Sequence, residues 1–138
     1  MINGKTYVQF GAGLSAPDGW ISYDASPTLR LLRIPFVGGL LCRLAGIETP
    51  FPKATQIGDV VKGLPVQQGS VTGAYGSHVL EHLALDDFRV ALRNVHDILE
   101  PGGRLSWHFG LDTAARAGTT DFYSIALHEV GQDRKSVV

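Results

Sequence analysis

YVQFGAGLSAPDGWISYD, residues 7–24, holds two apolar runs, each ending in turn chemistry. Thr6–Phe10 is β-branched and aromatic and stops at Gly11-Ala12-Gly13, which predicts a strand entering a tight turn. Trp20–Tyr23 follows a loop with Pro17, Asp18 and Gly19, and predicts a second strand ending at Asp24. The pattern recurs downstream. Lys53–Ile57 is a third candidate strand, stopping at Gly58-Asp59, and Gly73–Ser77 a fourth, stopping at His78. Ser26-Pro27 is a helix start, with a hydroxyl to cap it and proline at the first helical position. Phe88, Ala91, Leu92, Val95, Ile98 and Leu99 recur at helical spacing, with Asp86 or Asp87 able to cap the start. Pro101-Gly102-Gly103 is expected to stop that helix, and Arg104–Phe109 alternates as a fifth strand. Helical stretches are expected at Asp112–Ala117 and Asp121–Val130, and a flexible tail over 131–138. Interleaved strands and helices imply an α/β fold, a Rossmann-like, mostly parallel open sheet with flanking helices.

In such sheets ligands sit beyond the carboxyl ends of the strands, so the residues directly after strands carry the functional reading. A glycine turn lets a ligand approach the backbone without meeting a Cβ, and an acid after the second strand can accept hydrogen bonds from ribose hydroxyls. Gly11-Ala12-Gly13 followed by Asp24 therefore suggests an adenosine-type ligand. Each half of the signal has an ordinary alternative: a G-x-G turn is often only a loop, and Asp24 could cap beside Ser26. The dinucleotide fingerprint G-x-G-x-x-G is not met, since Ser15 and Ala16 fall where its third glycine belongs. A nicotinamide enzyme is disfavoured.

The 138 residues, 44% hydrophobic and 18% charged, fit one domain spanning 1–138. A formal charge of −1 gives no global attraction to nucleic acid, and no nucleic-acid partner is expected. Cys42 is the lone cysteine, so no intrachain disulfide or cysteine-cluster metal site can form, and a reducing, cytoplasmic setting is the default. No secretory signal is apparent at Met1–Lys5. Leu31–Ile47 is apolar on average, but Arg33 and Arg43 interrupt it and Pro35 and Gly38-Gly39 would break a helix. It is also shorter than the ~20 residues of a membrane span. It reads as a broken helical connection packed on the sheet, ahead of a lid or a membrane-surface hairpin.

YVQFGAG, GWISYDASP, IGDVVKGLPVQQGSV, AYGSHVLEHL and the helix into ILEPGGRL together resemble the class I S-adenosylmethionine-dependent methyltransferases. The likeness is to the short-loop kind, in which a GWxxxD segment closely follows the glycine turn, and it covers roughly residues 5–109. It implies S-adenosyl-L-methionine as cofactor. Gly11, Ala12 and Gly13 would line its methionine and ribose part, Asp24 would hold the ribose hydroxyls, and Asp59 with Val60 would flank the adenine. Ser77 and His78 would lie beside the glycine turn, near the sulfonium. A hydroxyl acceptor would gain from a general base, for which His78 is the first candidate and His82 the second. A structural role at the strand end is the alternative for His78. The usual first helix is expected to be absent or vestigial, and the chain to lack some C-terminal strands of the full fold, its sheet edge then inviting a homo-oligomer.

His78-Val-Leu-Glu81-His82 also spells H-x-x-E-H, the inverted zinc-peptidase signature. That site needs a third protein ligand, and only Glu100 and Glu129 follow as glutamates, neither in a convincing second motif. No metal is expected. The expected function is methyl transfer to a small-molecule or glycan-type acceptor, and the alternative a non-catalytic methyltransferase-like domain serving as a partner or binding module.

Overall fold

The computed structural model describes residues 1–47, 51–108 and the backbone of 136–137. Its strands are β1 (Tyr7–Phe10), β2 (Trp20–Asp24), β3 (Gln56–Ile57), β4 (Val71–Ser77), β5 (Leu99–His108) and β6 (Ser136–Val137). Its helices are α1 (Pro27–Leu32), α2 (Gly38–Leu44) and α3 (Leu85–Ile98), with a short 3-10 turn at Leu80–His82. The strands form one sheet in the order β3-β2-β1-β4-β5-β6, every neighbouring pair parallel. This is the doubly wound nucleotide-binding order, which reverses direction between β1 and β4.

The register seats Phe10 beside Tyr23 on one side and Gly76 on the other, so β1, β2 and β4 end at one level. β1 and β2 are joined by residues 11–19 with no helix, shorter than the dozen or more that a helical crossover takes. The ring of Trp20 lies 5.2 Å from that of Tyr7 across this pair. One side of α3 buries Phe88, Ala91, Leu92, Val95 and Ile98 against Val8, Phe10, Leu80, Leu99 and Leu105, the apolar stripe that the spacing predicts.

Several boundaries differ from the sequence reading. Ala84, not Asp86 or Asp87, is the N-cap of α3, and no side chain caps it. The two acids lie in the first turn, where they favour the positive end of the helix dipole. The helix ends at Ile98, before Pro101, because Leu99 is extended and pairs with Val71. Pro101-Gly102-Gly103 instead sits in a bulge within β5, between the pairs Leu99↔Val71 and Arg104↔Gly73. β3 shrinks to Gln56–Ile57 and β4 starts two residues early, at Val71. Gly38-Gly39 opens α2 rather than breaking a helix. Ser26 caps α1 as expected, its hydroxyl accepting from Thr28 N–H at 3.3 Å. Phe109 and the helical stretches expected over 112–130 lie outside the described residues, while Ser136–Val137, within the expected tail, pairs with Arg104–Leu105.

Candidate functional site

A cleft of about 550 Å³ opens beyond the carboxyl ends of β1–β4. Phe10, Gly11, Asp24–Ser26, Gly58–Lys62, Val79, Leu83 and Asp87 line it. Its size suits a nucleoside-scale ligand, since small-molecule sites run about 300–1,000 Å³.

Asp24 and the glycine turn meet at its floor. The carboxylate Oδ2 accepts from Gly13 N–H at 2.8 Å and Oδ1 from Ser26 N–H at 2.7 Å. Ala12 N–H donates to the Tyr23 carbonyl at 3.0 Å, so the turn after β1 is tied to the end of β2 twice. Asp24 is only 9% exposed, and these two bonds hold its side chain in place. A carboxylate offers about four lone-pair sites, of which two are used here.

The glycine at position 11 is dictated locally. Its φ is +64°, and a Cβ there would collide with the Val79 side chain and lie 2.9 Å from the Ser77 carbonyl oxygen. The strand order thus brings Ser77 and Gly11 together as the switch-point argument requires.

The opposite wall is the segment after β3. Asp59 Oδ1 accepts from Val61 N–H at 3.0 Å, a local turn that fixes the side chain. Lys62 Nζ lies 3.9 Å from Asp59 Oδ2, but the lysine is largely exposed and such a pair adds little. From behind, Asn94 on α3 donates to the carbonyls of Val60 at 2.9 Å and Val61 at 2.8 Å.

Of the residues singled out from the sequence, Gly11, Asp24, Asp59 and Val60 line the cleft. Gly13 reaches it through its bond to Asp24, and Ala12 is buried beneath the turn. Ser77 contributes its carbonyl beside Gly11, while His78 and His82 are exposed and are not among the lining residues. His78 has φ +51°, and its Nδ1 lies 3.3 Å from Oε1 of Glu81, whose side chain is 3% exposed. That oxygen is within ion-pair reach of the imidazole but receives no well-formed hydrogen bond. The ring of His108 stands edge-on to that of His78, 5.3 Å away. Among the described residues no three His, Cys, Asp or Glu side chains converge as a metal site.

Sequence reasoning missed Val79 and Leu83, two wall residues. A signal was available: Val79 and Leu83 are apolar residues that closely follow the predicted end of the fourth strand, the side of such a sheet on which ligands sit.

These features define a class by fold: the Rossmann-like fold of the methyltransferases, with a cleft at the switch point of a parallel sheet. The family described as "Methyltransferase domain" matches residues 41–107, just under half of the chain. A comparison with curated protein sequences finds no match. Among solved structures, a TehB-like SAM-dependent methyltransferase from Corynebacterium glutamicum is similar at 20% identity and a TM-score of 0.60, over 94% of this chain and 66% of that one. A structure from Methanococcus maripaludis, described as "a putative s-adenosyl-l-methionine-dependent methyltransferase", is similar at 15% identity and a TM-score of 0.55, over 92% of this chain and 68% of that one. This chain therefore spans about two thirds of the length of each.

Proposed function

We propose that this chain is an S-adenosylmethionine-binding domain of the class I methyltransferase type, of the short-loop GWxxxD kind, transferring a methyl group to a small-molecule or glycan-type acceptor. The observation that carries this reading is the junction of Asp24 with the glycine turn at the floor of the cleft. The residues present suit the cofactor. Gly11 keeps the backbone approachable, apolar walls from Phe10, Val60, Val61, Val79 and Leu83 suit an adenine and a thioether chain, and Asp24 retains lone pairs for ribose hydroxyls. Asp24, Asp59 and Asp87 against the single Lys62 make the lining anionic, which complements a sulfonium cation.

S-adenosylmethionine, when bound, supplies an electrophilic methyl group on positively charged sulfur. The chain's own part is positioning. Asp24 would hold the ribose end, Asp59 and Val60 would flank the base, and Gly11 with Val79 would set how near the backbone comes. For a hydroxyl acceptor His78 would be the first candidate general base and His82 the second, both beside the cleft rather than in its lining.

One observation favours a second reading, a non-catalytic partner or binding module: each Asp24 oxygen already holds a backbone N–H, which is a complete structural role. Calorimetric titration with S-adenosylhomocysteine separates the two. The methyltransferase reading expects saturable heat from the wild type and none from Asp24→Ala, provided that the variant still melts cooperatively. Absence of heat from the wild type favours the binding module. A labelled methyl donor presented to metabolite and glycan pools then identifies the acceptor.

A further inference from the structure

The connection from β2 to β3 presents its apolar side the wrong way for a soluble core. In α2 the residues facing inward are small, Gly38 and Cys42. Val37, Leu40, Leu41 and Leu44, spaced three and four apart, share the other face and are all exposed, Leu44 by 76% and Leu40 by 58%. Phe36, at the tip between α1 and α2, is fully exposed with φ +67°, and Ile34 beside it is exposed too. A continuous apolar strip of this kind marks a surface that meets something.

The strip is held firmly to the body. Leu29 and Cys42 are buried, and α2 starts against the end of α1 so closely that a Cβ on Gly38 would collide with the carbonyls of Leu31 and Leu32. Arg33 ties the base of the hairpin down, donating to the carbonyls of Lys53 and Thr55 at 2.8 Å each. The exposed leucines therefore stand on a fixed platform.

Charge selects the occupant. Residues 25–47 contain three arginines, Arg30, Arg33 and Arg43, all exposed, and no acidic residue. The other residues hold nine basic and thirteen acidic side chains, a formal −4. The segment that exposes these apolar side chains is thus net positive while the rest of the chain is net negative, the pairing that suits an anionic bilayer surface.

We propose that the α1–α2 hairpin seats this protein on an anionic lipid surface, with Phe36, Leu40 and Leu44 entering the acyl boundary and Arg30 and Arg43 meeting headgroup phosphates. The contact proposed is peripheral and lies in the interface plane, the short helix α2 presenting one apolar face. The hairpin leaves the cleft rim at Ser26, which both lines the cleft and caps α1.

Flotation of the full chain with phosphatidylcholine vesicles, with and without about one third phosphatidylglycerol, tests this without cofactor or acceptor. The protein is expected to float with the anionic vesicles only, and less as salt rises. Phe36→Ser/Leu40→Gln/Leu44→Gln should stay at the bottom with an unchanged melting curve, since all three side chains are exposed. Arg30→Gln and Arg43→Gln should each weaken partitioning by about fivefold at low salt. Failure of the wild type to float, or flotation that survives both sets of changes, overturns the proposal. So does a wild-type dimer in ultracentrifugation that the triple change converts to monomer without any vesicle binding, which would assign the strip to a second copy of the chain.

Discussion

The side chain of Val79 occupies the space into which any side chain at Gly11 would project. The Ser77 carbonyl closes the same space from the strand side, 2.9 Å from a Cβ there, and φ at Gly11 is +64°. Gly11→Ala is therefore expected to cost about 1–3 kcal/mol, read as a lower urea midpoint, and to weaken nucleoside binding. Adding Val79→Ala should recover only part of the loss, because the carbonyl and the backbone conformation remain. A fully stable single variant would show that the turn does not approach β4 this closely.

Asp24→Asn separates charge from shape. Gly13 N–H and Ser26 N–H each need an acceptor, and an amide offers one oxygen and one NH₂, so either orientation sets a donor against a donor. At 9% exposure the site gives little access to water, and the change should destabilise by about 1–3 kcal/mol in chemical denaturation. An unchanged midpoint would mean that the carboxylate does not strap the two loops together.

The sheet was legible because β1, β2 and β4 are bounded by turn residues and α3 carries an uninterrupted apolar period. Asp24 and the glycine turn were legible as neighbours because parallel strands ending at one level leave their following residues together. What escaped was local. The Glu100–Gly103 bulge looks like a helix stop in sequence, since Pro and Gly mark both, and only the pairing of Leu99 with Val71 tells them apart. Gly38-Gly39 looks like a break, yet tight contact with α1 requires a residue without a side chain at Gly38. Average hydropathy over 31–47 could not reveal that its larger apolar residues face outward, since that depends on which face of a seven-residue helix meets the body.

Alkaline pH should unfold the protein partly through Tyr23. Burial, against Gly58 and Leu64 among others, pushes its phenol above the ordinary value of 10.0 by disfavouring the phenolate. Above that value the unfolded chain sheds the proton while the folded one keeps it, so the unfolded state gains. The tyrosine's contribution is present in full below pH 10.0 and is lost as pH rises through the folded value. Urea midpoints of wild type and Tyr23→Phe between about pH 9 and about pH 11 check this: the wild type should fall more steeply. Parallel curves would remove Tyr23 from the alkaline transition.

Asn94 should govern the cleft wall from outside the cleft. Its amide donates to the carbonyls of Val60 and Val61, joining α3 to the loop that carries Asp59 and Lys62. Asn94→Ala removes two neutral hydrogen bonds and should cost about 1–2 kcal/mol, with faster hydrogen exchange at Val61 N–H, which bonds Asp59 Oδ1. Asn94→Asp is the sharper test, because at neutral pH it sets a carboxylate against two carbonyl oxygens with no proton to share. It should be less stable than Asn94→Ala there and recover relative to it as pH falls toward about 4, because a carboxyl facing carbonyl oxygens regains its proton above the ordinary carboxyl range. If the two variants are equally stable across that range, the amide is not the link between helix and loop, and the wall must be held by the packing of Val60 against the core alone.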